Sequence, residues 1–437
     1  MRFEVPIVPR HLFVAGSAWG SRVIIGGVQI VSIRVLITSL GVTDYSIFAL
    51  LIGLAGWFAM ADFGVGVSLQ NHISERRTKG QFYGDLIYTA VILELLGLVF
   101  ATCALVVLAI YFAPSYLQSD QYLSTLGRIR IFLVTGVLFS TITIGGIISR
   151  ILYAEQKGYW ANLLAALGWT GSLFGILIVS RSVTNGRLLW SIVGYLLPQV
   201  VVNTAALFYR IHQIPINQRC YRHKTGKSLI HLAGRFWLFA ILSAVVLQMD
   251  YIIISQYGTT KEIILYNVAT KAFSFAAMVF TALLQALWPE FAEQAARLEW
   301  DGIRKKLKIC ITIGISFTVI WTAGSIFGLT VLVGILAPGR SLYVPMGLVL
   351  LLGLYQLTRV WSDSYAMVLQ SCSHLGPLWR WVPTQAVISG VLQWWMMRKW
   401  GINGLIGGLT VSFLSTVCWA LPNELNRLII RRKALGL

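Results

Sequence analysis

The chain has 437 residues, 57% of them hydrophobic and only 12% charged, and a mean hydropathy of +0.74. Soluble domains carry about 25% charged residues, so a soluble enzyme or binding domain is excluded and a polytopic membrane protein is left. The net charge of +19 suggests nucleic acid at first sight. The basic residues cluster beside apolar spans, however, where anionic membrane lipid is their partner, and no nucleic acid is expected.

A spanning helix needs roughly 20 apolar residues. Twelve segments reach that length: about 12–37, 45–69, 86–112, 129–152, 161–180, 188–209, 234–256, 263–288, 309–336, 343–370, 381–397 and 402–422. A β-barrel would show weak alternating decamers instead. The placement of Lys and Arg puts the N-terminus in the cytoplasm. Arg76-Arg77, Arg304-Lys305-Lys306 and Arg431-Arg432-Lys433 then all fall inside, and an even span count returns the C-terminus to the same side. The first apolar stretch is long and is followed by more spans, so it reads as a retained helix rather than a cleaved signal.

In chain order, the first span carries Gly16-x-x-x-Gly20, a small face suited to helix packing. Arg22 lies too deep in that span to snorkel easily. Gln29, seven positions on, shares nearly the same face, and Gly26 keeps that face open. A guanidinium there can hold a phosphate through two parallel hydrogen bonds; a structural ion pair is the competing account. Arg34 lies near the outer end of the same helix, where snorkelling competes with a cavity role. Asp62 and Glu94 lie in the cytoplasmic halves of the second and third spans. Pro198 falls inside the sixth and should kink it.

The longest polar segment runs from Arg210 to about Gly234 and separates six spans from six. The expected layout is an N-terminal lobe over 1–209, a basic cytoplasmic linker over 210–233 and a C-terminal lobe over 234–437 with a basic tail. The fold class is therefore all-α, with two six-helix lobes around a central cavity. Gly226-Lys227-Ser228 looks like the tail of a phosphate-binding loop, but Tyr221 stands where the loop needs a glycine. ATP is excluded, and transport must be passive or coupled to an ion gradient.

In the second half, Asp250 lies in the seventh span and Lys271 near the centre of the eighth. Arg359 and Asp363 are four apart on the tenth and share a face, so mutual neutralisation competes with a cavity role. Gly404-x-x-x-Gly408 presents a second small face. A charge near the centre of a spanning helix costs at least ~2.5–3.5 kcal/mol. Residues kept at that cost line a wet cavity, pair with one another or bind a charged solute. Any of the carboxyls could carry a proton or coordinate Na⁺ during transport, though pairing with an arginine competes for each.

The five cysteines are scattered with no Cys-x-x-Cys pair, so neither a metal nor a disulfide is indicated. The six histidines all map to the cytoplasmic side, so no buried histidine proton relay is expected. No cofactor is expected. Trp190, Trp288, Trp379 and Trp400 lie near span ends, as interfacial belts require. Trp57, Trp169, Trp321 and Trp361 lie deeper, where bundle packing outweighs sugar stacking. External loops are too short to fold as a catalytic domain. The chain is not expected to be an enzyme.

Leu40-Gly41 followed by Tyr45, then Asp62-Phe63-Gly64-Val65-Gly66, resembles the start of Wzx-type polysaccharide flippases. So do Asp250-Tyr251-Ile252-Ile253-Ile254-Ser255, Tyr266-Asn267-Val268-Ala269 and Trp288-Pro289. Those flippases belong to the multidrug/oligosaccharidyl-lipid/polysaccharide exporter superfamily. The resemblance implies alternating access and a cargo of oligosaccharide repeat units on undecaprenyl pyrophosphate. It also implies passage from the cytoplasmic to the periplasmic leaflet of the bacterial inner membrane, for O-antigen or a similar surface glycan. Arg22, Arg34, Lys271 and Arg359 would then face the pyrophosphate, with Gln29 as a polar cavity residue. Asp62, Glu94, Asp250 and Asp363 would serve H⁺ or Na⁺ coupling or gating. Membrane lipids and glycan polymerase machinery are further expected partners. Two rivals stand beside this reading: a multidrug or small-molecule antiporter of the same fold, and an integral-membrane glycan polymerase or acyltransferase.

Overall fold

A computed structural model describes residues 10–117, 123–336, 344–372, 374 and 376–434. Among these, all regular structure is helical. The chain divides into two compact units, Met1–Ile241 and Leu242–Leu437. Helix is the form that satisfies every backbone group within its own segment, as hydrocarbon demands.

In the first unit α1 runs Arg10–Gly53, followed by α2 Ala55–Phe58, a 3₁₀ turn Ala59–Asp62 and α3 Val65–Thr78. Then come α4 Gly84–Tyr111, α5 Ala113–Tyr116, α6 Thr125–Gly145, α7 Ile147–Ala154, α8 Gly158–Ser182 and α9 Arg187–His212. Helix α10, His223–Tyr257, contains the divide between the units. The second unit continues with α11 Thr260–Ala296, α12 Trp300–Leu336, α13 Met346–Ser371, α14 Gly376–Ser415 and α15 Val417–Ala434.

Nine helical stretches among the described residues are long and apolar enough to cross a membrane. The protein is thus a multi-pass membrane protein. The difference from twelve expected spans has two causes. Gly16–Asp62 and Gly376–Arg432 each hold two of the expected spans without an intervening loop. The first bends at Gly41, whose φ of 81° suits glycine; the other bends at Trp400-Gly401. The tenth span, α13, is 26 residues long. Gln356, Arg359 and Asp363 make it too polar to count with the nine.

Small residues set the closest helix contacts. A Cβ on Gly404 would overlap the Met396 carbonyl oxygen, and one on Gly408 would press on the Leu392–Gln393 backbone. The two arms of α14 therefore pack backbone to backbone, as the Gly404-x-x-x-Gly408 spacing predicts. Gly16 and Gly20 have open space around them instead, so the same spacing in α1 seats no neighbour. Gly175, which closes a Gly171-x-x-x-Gly175 spacing, and Gly194 bring α8 and α9 into backbone contact. Behind the Gly41 bend, Tyr45 is fully buried and stacks on Phe48, which meets Tyr195 edge-on at 5.3 Å.

The polar segment after α9 is mostly helical. Residues 213–222 hold only a short 3₁₀ turn, Ile216–Gln218. They are pinned to the start of α4: the Arg222 amide donates to Thr89 at 3.3 Å, and Asp85 takes Arg222 at 3.6 Å and Arg76 at 2.7 Å. Gly226-Lys227-Ser228 lies inside α10, and Ser228 meets His72 at 3.0 Å. A helix there leaves no loop to cradle phosphate.

Replacing Gly404 with Ala should lower the melting temperature of the detergent-solubilised protein, at an overpacking cost of about 1–3 kcal/mol. Gly16→Ala, with open space around it, should be neutral or slightly stabilising. Equal melting of the two variants would contradict this packing.

Candidate functional site

Each unit holds its own polar centre. In the first unit the second span is broken. Phe63 (φ 49°) and Gly64 (φ 78°) are both left-handed, and α3 begins anew at Val65. A Cβ on Gly64 would collide with the Ala233 carbonyl oxygen of α10, so glycine is required twice over. The Trp237 indole N–H donates at 3.1 Å to the Met60 carbonyl, which also accepts the Phe63 amide at 2.9 Å, and so ties α10 to the break. Phe63 packs between Phe100, at 5.8 Å, and Trp237, at 5.4 Å.

The break aims Asp62 at the backbone amides of Gly64, Val65 and Gly66. These are the positive end of α3, where a carboxylate is stabilised. Arg150 lies within electrostatic reach of the same carboxylate. Asp62 Oδ1 is buried without a hydrogen-bond partner. Glu94 is 1% exposed, and neither of its oxygens has a hydrogen-bond partner. The charge it feels is that of Asp62, which is of the same sign.

Arg22 is half-buried on α1, and it and Arg150 lie within electrostatic reach of the Tyr153 hydroxyl. Tyr153 donates to Asn162 Oδ1 at 2.8 Å, and Asn162 donates to Ser17 at 3.0 Å, tying α7, α8 and α1 together. Arg150 also reaches Gln70 at 3.5 Å. Gln29 is half-buried and Arg34 exposed, both on α1. The structure thus groups Asp62 with Glu94, and Arg22 with Tyr153. Arg150 links the two groups. Its place within the expected fourth span, 129–152, was the signal that could have marked it.

The second unit holds a cavity of about 270 Å³ between α10, α11, α13 and α14. Asp250, Tyr251, Tyr266, Lys271, Tyr355 and Arg359 line it. Tyr266 donates to Asp250 Oδ2, and the Tyr251 amide donates to Oδ1 at 2.9 Å. Asn267 donates to the Tyr251 hydroxyl at 3.0 Å. Arg359 donates to Asp363 through Nε at 2.9 Å, with Nη2 at 2.8 Å from the same oxygen, and to the Tyr355 hydroxyl at 3.1 Å. Its guanidinium also faces the Tyr355 and Phe413 rings, at 5.9 and 5.8 Å. Arg359 and Asp363 therefore neutralise each other. Among the described residues Lys271 has no carboxylate within ion-pair distance. Lys271, Arg359 and Asp250 meet at one cavity, and tyrosines that sequence reasoning did not assign to the site supply most of its hydroxyls. Among the described residues no group of three or more His, Cys, Asp or Glu is placed to hold a metal ion.

No protein-family model matches the chain. A Yersinia pseudotuberculosis protein named for O-antigen export is 38% identical over 421 residues, covering 95% of both chains. A Salmonella typhimurium (strain LT2) protein named as an O-antigen transporter is 37% identical, over 97% of this chain and 98% of its own. The chain belongs to the O-antigen transporter family. The resemblance to polysaccharide flippases is borne out, and its relatives are transport proteins rather than enzymes. Solved structures carry the same fold. An inward-facing multidrug resistance MATE family transporter of the MOP superfamily superposes with a TM-score of 0.77 at 13% identity, covering 97% of this chain and 99% of its own. The lipid II flippase MurJ, in an inward closed conformation, gives 0.66 at 13% identity, over 95% of this chain and 87% of its own.

Removing one partner of a paired charge leaves the other uncompensated, whereas removing both does not. Arg359→Met and Asp363→Met should each melt lower than the double variant. A double variant less stable than both singles would contradict mutual neutralisation.

Proposed function

We propose that this O-antigen transporter family member moves oligosaccharide repeat units on undecaprenyl pyrophosphate from the cytoplasmic to the periplasmic leaflet of the inner membrane. It does so by alternating access, with help from an ion gradient. The observation that carries this reading is Lys271, a cation in a cavity wall without an acidic partner among the described residues. An ammonium held out of water is costly until an anion arrives. At about 270 Å³ the cavity is smaller than the roughly 300–1,000 Å³ of drug-sized sites. It suits a diphosphate better than several sugars. Arg359, fixed by Asp363 and Tyr355, presents its remaining polar edge beside it. Within the first unit we assign anion contact to Arg22 and Arg34, with Gln29 as a polar neighbour.

Two gradients act in the same sense. Moving negative charge outward across an inside-negative membrane is favourable by about 2.3 kcal/mol per charge per 100 mV. Proton antiport needs a site whose protonation does not strengthen anion binding. Asp250 fails that test: a proton there removes a negative charge from the cavity of Lys271 and favours the anion. Glu94 meets it, because it does not line the cavity of Lys271 and, among the described residues, neither of its oxygens has a donor to hold it ionised. We therefore assign coupling to Glu94 beside Asp62, and a gating or positioning role to Asp250 and Asp363.

A strain lacking the gene, complemented with variants, tests the assignments. Lys271→Ala and Arg22→Ala should each lower surface O-antigen at least tenfold at wild-type membrane abundance, while Lys271→Arg retains most of it. Normal surface glycan with Lys271→Ala would overturn the anion site. In vesicles, Glu94→Gln should abolish stimulation by an imposed proton gradient but leave stimulation by membrane potential. Stimulation surviving in Glu94→Gln but lost in Asp250→Asn would move the coupling site to the second unit.

A further inference from the structure

The second unit carries a group of rings and cations that the transport site does not use. It sits where the apolar run of α14 ends and the chain turns at Trp400-Gly401. The Arg398 guanidinium lies over the Trp394 ring at 5.0 Å and the Tyr257 ring at 5.7 Å. Those two rings are fixed to each other, since the Trp394 indole N–H donates to the Tyr257 hydroxyl at 3.1 Å. One residue on, the Lys399 ammonium lies over the Trp395 ring at 4.3 Å, and Trp395 meets Trp400 edge-on at 5.6 Å.

Both pairs are four apart in α14, so the helix itself sets each cation on its ring. All four rings are exposed, Trp394 at 43% and Trp400 at 55%. Neither Arg398 nor Lys399 makes an ion pair among the described residues. The nearby acid is Glu262, whose Oε1 approaches Gly401. Its Oε2 is occupied by the Thr259 amide and hydroxyl, at 2.8 and 2.9 Å, where it caps the start of α11.

A ring face can hold a cation without neutralising it. The N–H edges of Arg398 and the ammonium of Lys399 therefore stay free for an anion. Tryptophan and tyrosine rings settle at the level of lipid headgroups, which is the depth of phospholipid phosphate. We propose that Tyr257, Trp394, Trp395, Arg398 and Lys399 form a binding site for the headgroup of an anionic phospholipid in the leaflet at this end of the protein. The acyl chains lie along the exposed apolar surface of α14 formed by Val387 and Val391, which are 68% and 59% exposed. The rings cover the glycerol region, and the two cations hold the phosphate.

The test is native mass spectrometry of the full chain in neutral detergent, titrated with phosphatidylglycerol or with phosphatidylcholine of the same acyl chains. The Lys271→Ala background weakens the transport cavity as a competing anion site. Two basic residues at an anionic surface give roughly thirtyfold tighter binding of phosphatidylglycerol to its first site. Arg398→Gln with Lys399→Gln should bring the two lipids to equal affinity while the melting temperature stays at the parent value. Trp394→Leu, which keeps both charges, should give an intermediate preference. An unchanged preference in the double charge variant would overturn the site. So would farnesyl pyrophosphate displacing phosphatidylglycerol from the parent at equal concentration, since the group would then serve the isoprenyl cargo.

Discussion

A charge or an open backbone group inside hydrocarbon must find its partner within the protein or in a wet cavity. That constraint explains most of what is irregular here. The broken second span would expose carbonyls and amides in lipid. Instead the Phe63 amide and the Trp237 indole both donate to the Met60 carbonyl, and Asp62 faces the amides that open α3. Arg359 is met by Asp363 and Tyr355 on its own helix, and Asp250 by Tyr266 and a backbone amide. Against this background the groups left unsatisfied stand out. Glu94 and Lys271 are the two around which the proposed transport cycle is built, one in each unit.

The assignment of these two groups to different units has a chemical logic. An anion site and a proton site in one cavity favour each other's occupancy, because each proton taken up makes the cavity more positive. Such a cavity would carry proton and anion together. A transporter that exports an anion and admits a proton does better with the two sites in different surroundings. Helix α10 runs from Trp237, at the break beside Asp62, to Asp250, in the wall of the Lys271 cavity.

Much of this was legible in the sequence, because hydrophobic length and charge placement are one-dimensional signals. The apolar runs gave the spans, and the in-span charges gave Glu94, Asp250, Lys271 and Arg359 as candidates. The i, i+4 spacing of Arg359 and Asp363 contained their pairing. Other features depend on which helix faces which. Gly16-x-x-x-Gly20 and Gly404-x-x-x-Gly408 look alike, yet one faces open space and the other a backbone. Tyr266 and Tyr355 join a cavity because α11 and α13 meet, which no local pattern encodes. Arg150 sits near the end of its span, where a cation draws no attention until Asp62 is placed beside it. The restart at Asp62-Phe63-Gly64 was readable in principle, since an acidic residue and a glycine before a new helical run form a start signal.

The most direct test of the account is transverse movement of the cargo in vesicles containing the purified protein alone. Undecaprenyl-pyrophosphate-linked repeat units, labelled on the sugar, would be followed by their accessibility to an impermeant glycosidase under an applied membrane potential. The account predicts protein-dependent exchange between leaflets that is accelerated when the acceptor side is positive and lost with Lys271→Ala. Vesicles in which the labelled lipid stays in its original leaflet, with the protein folded and a potential imposed, would contradict it.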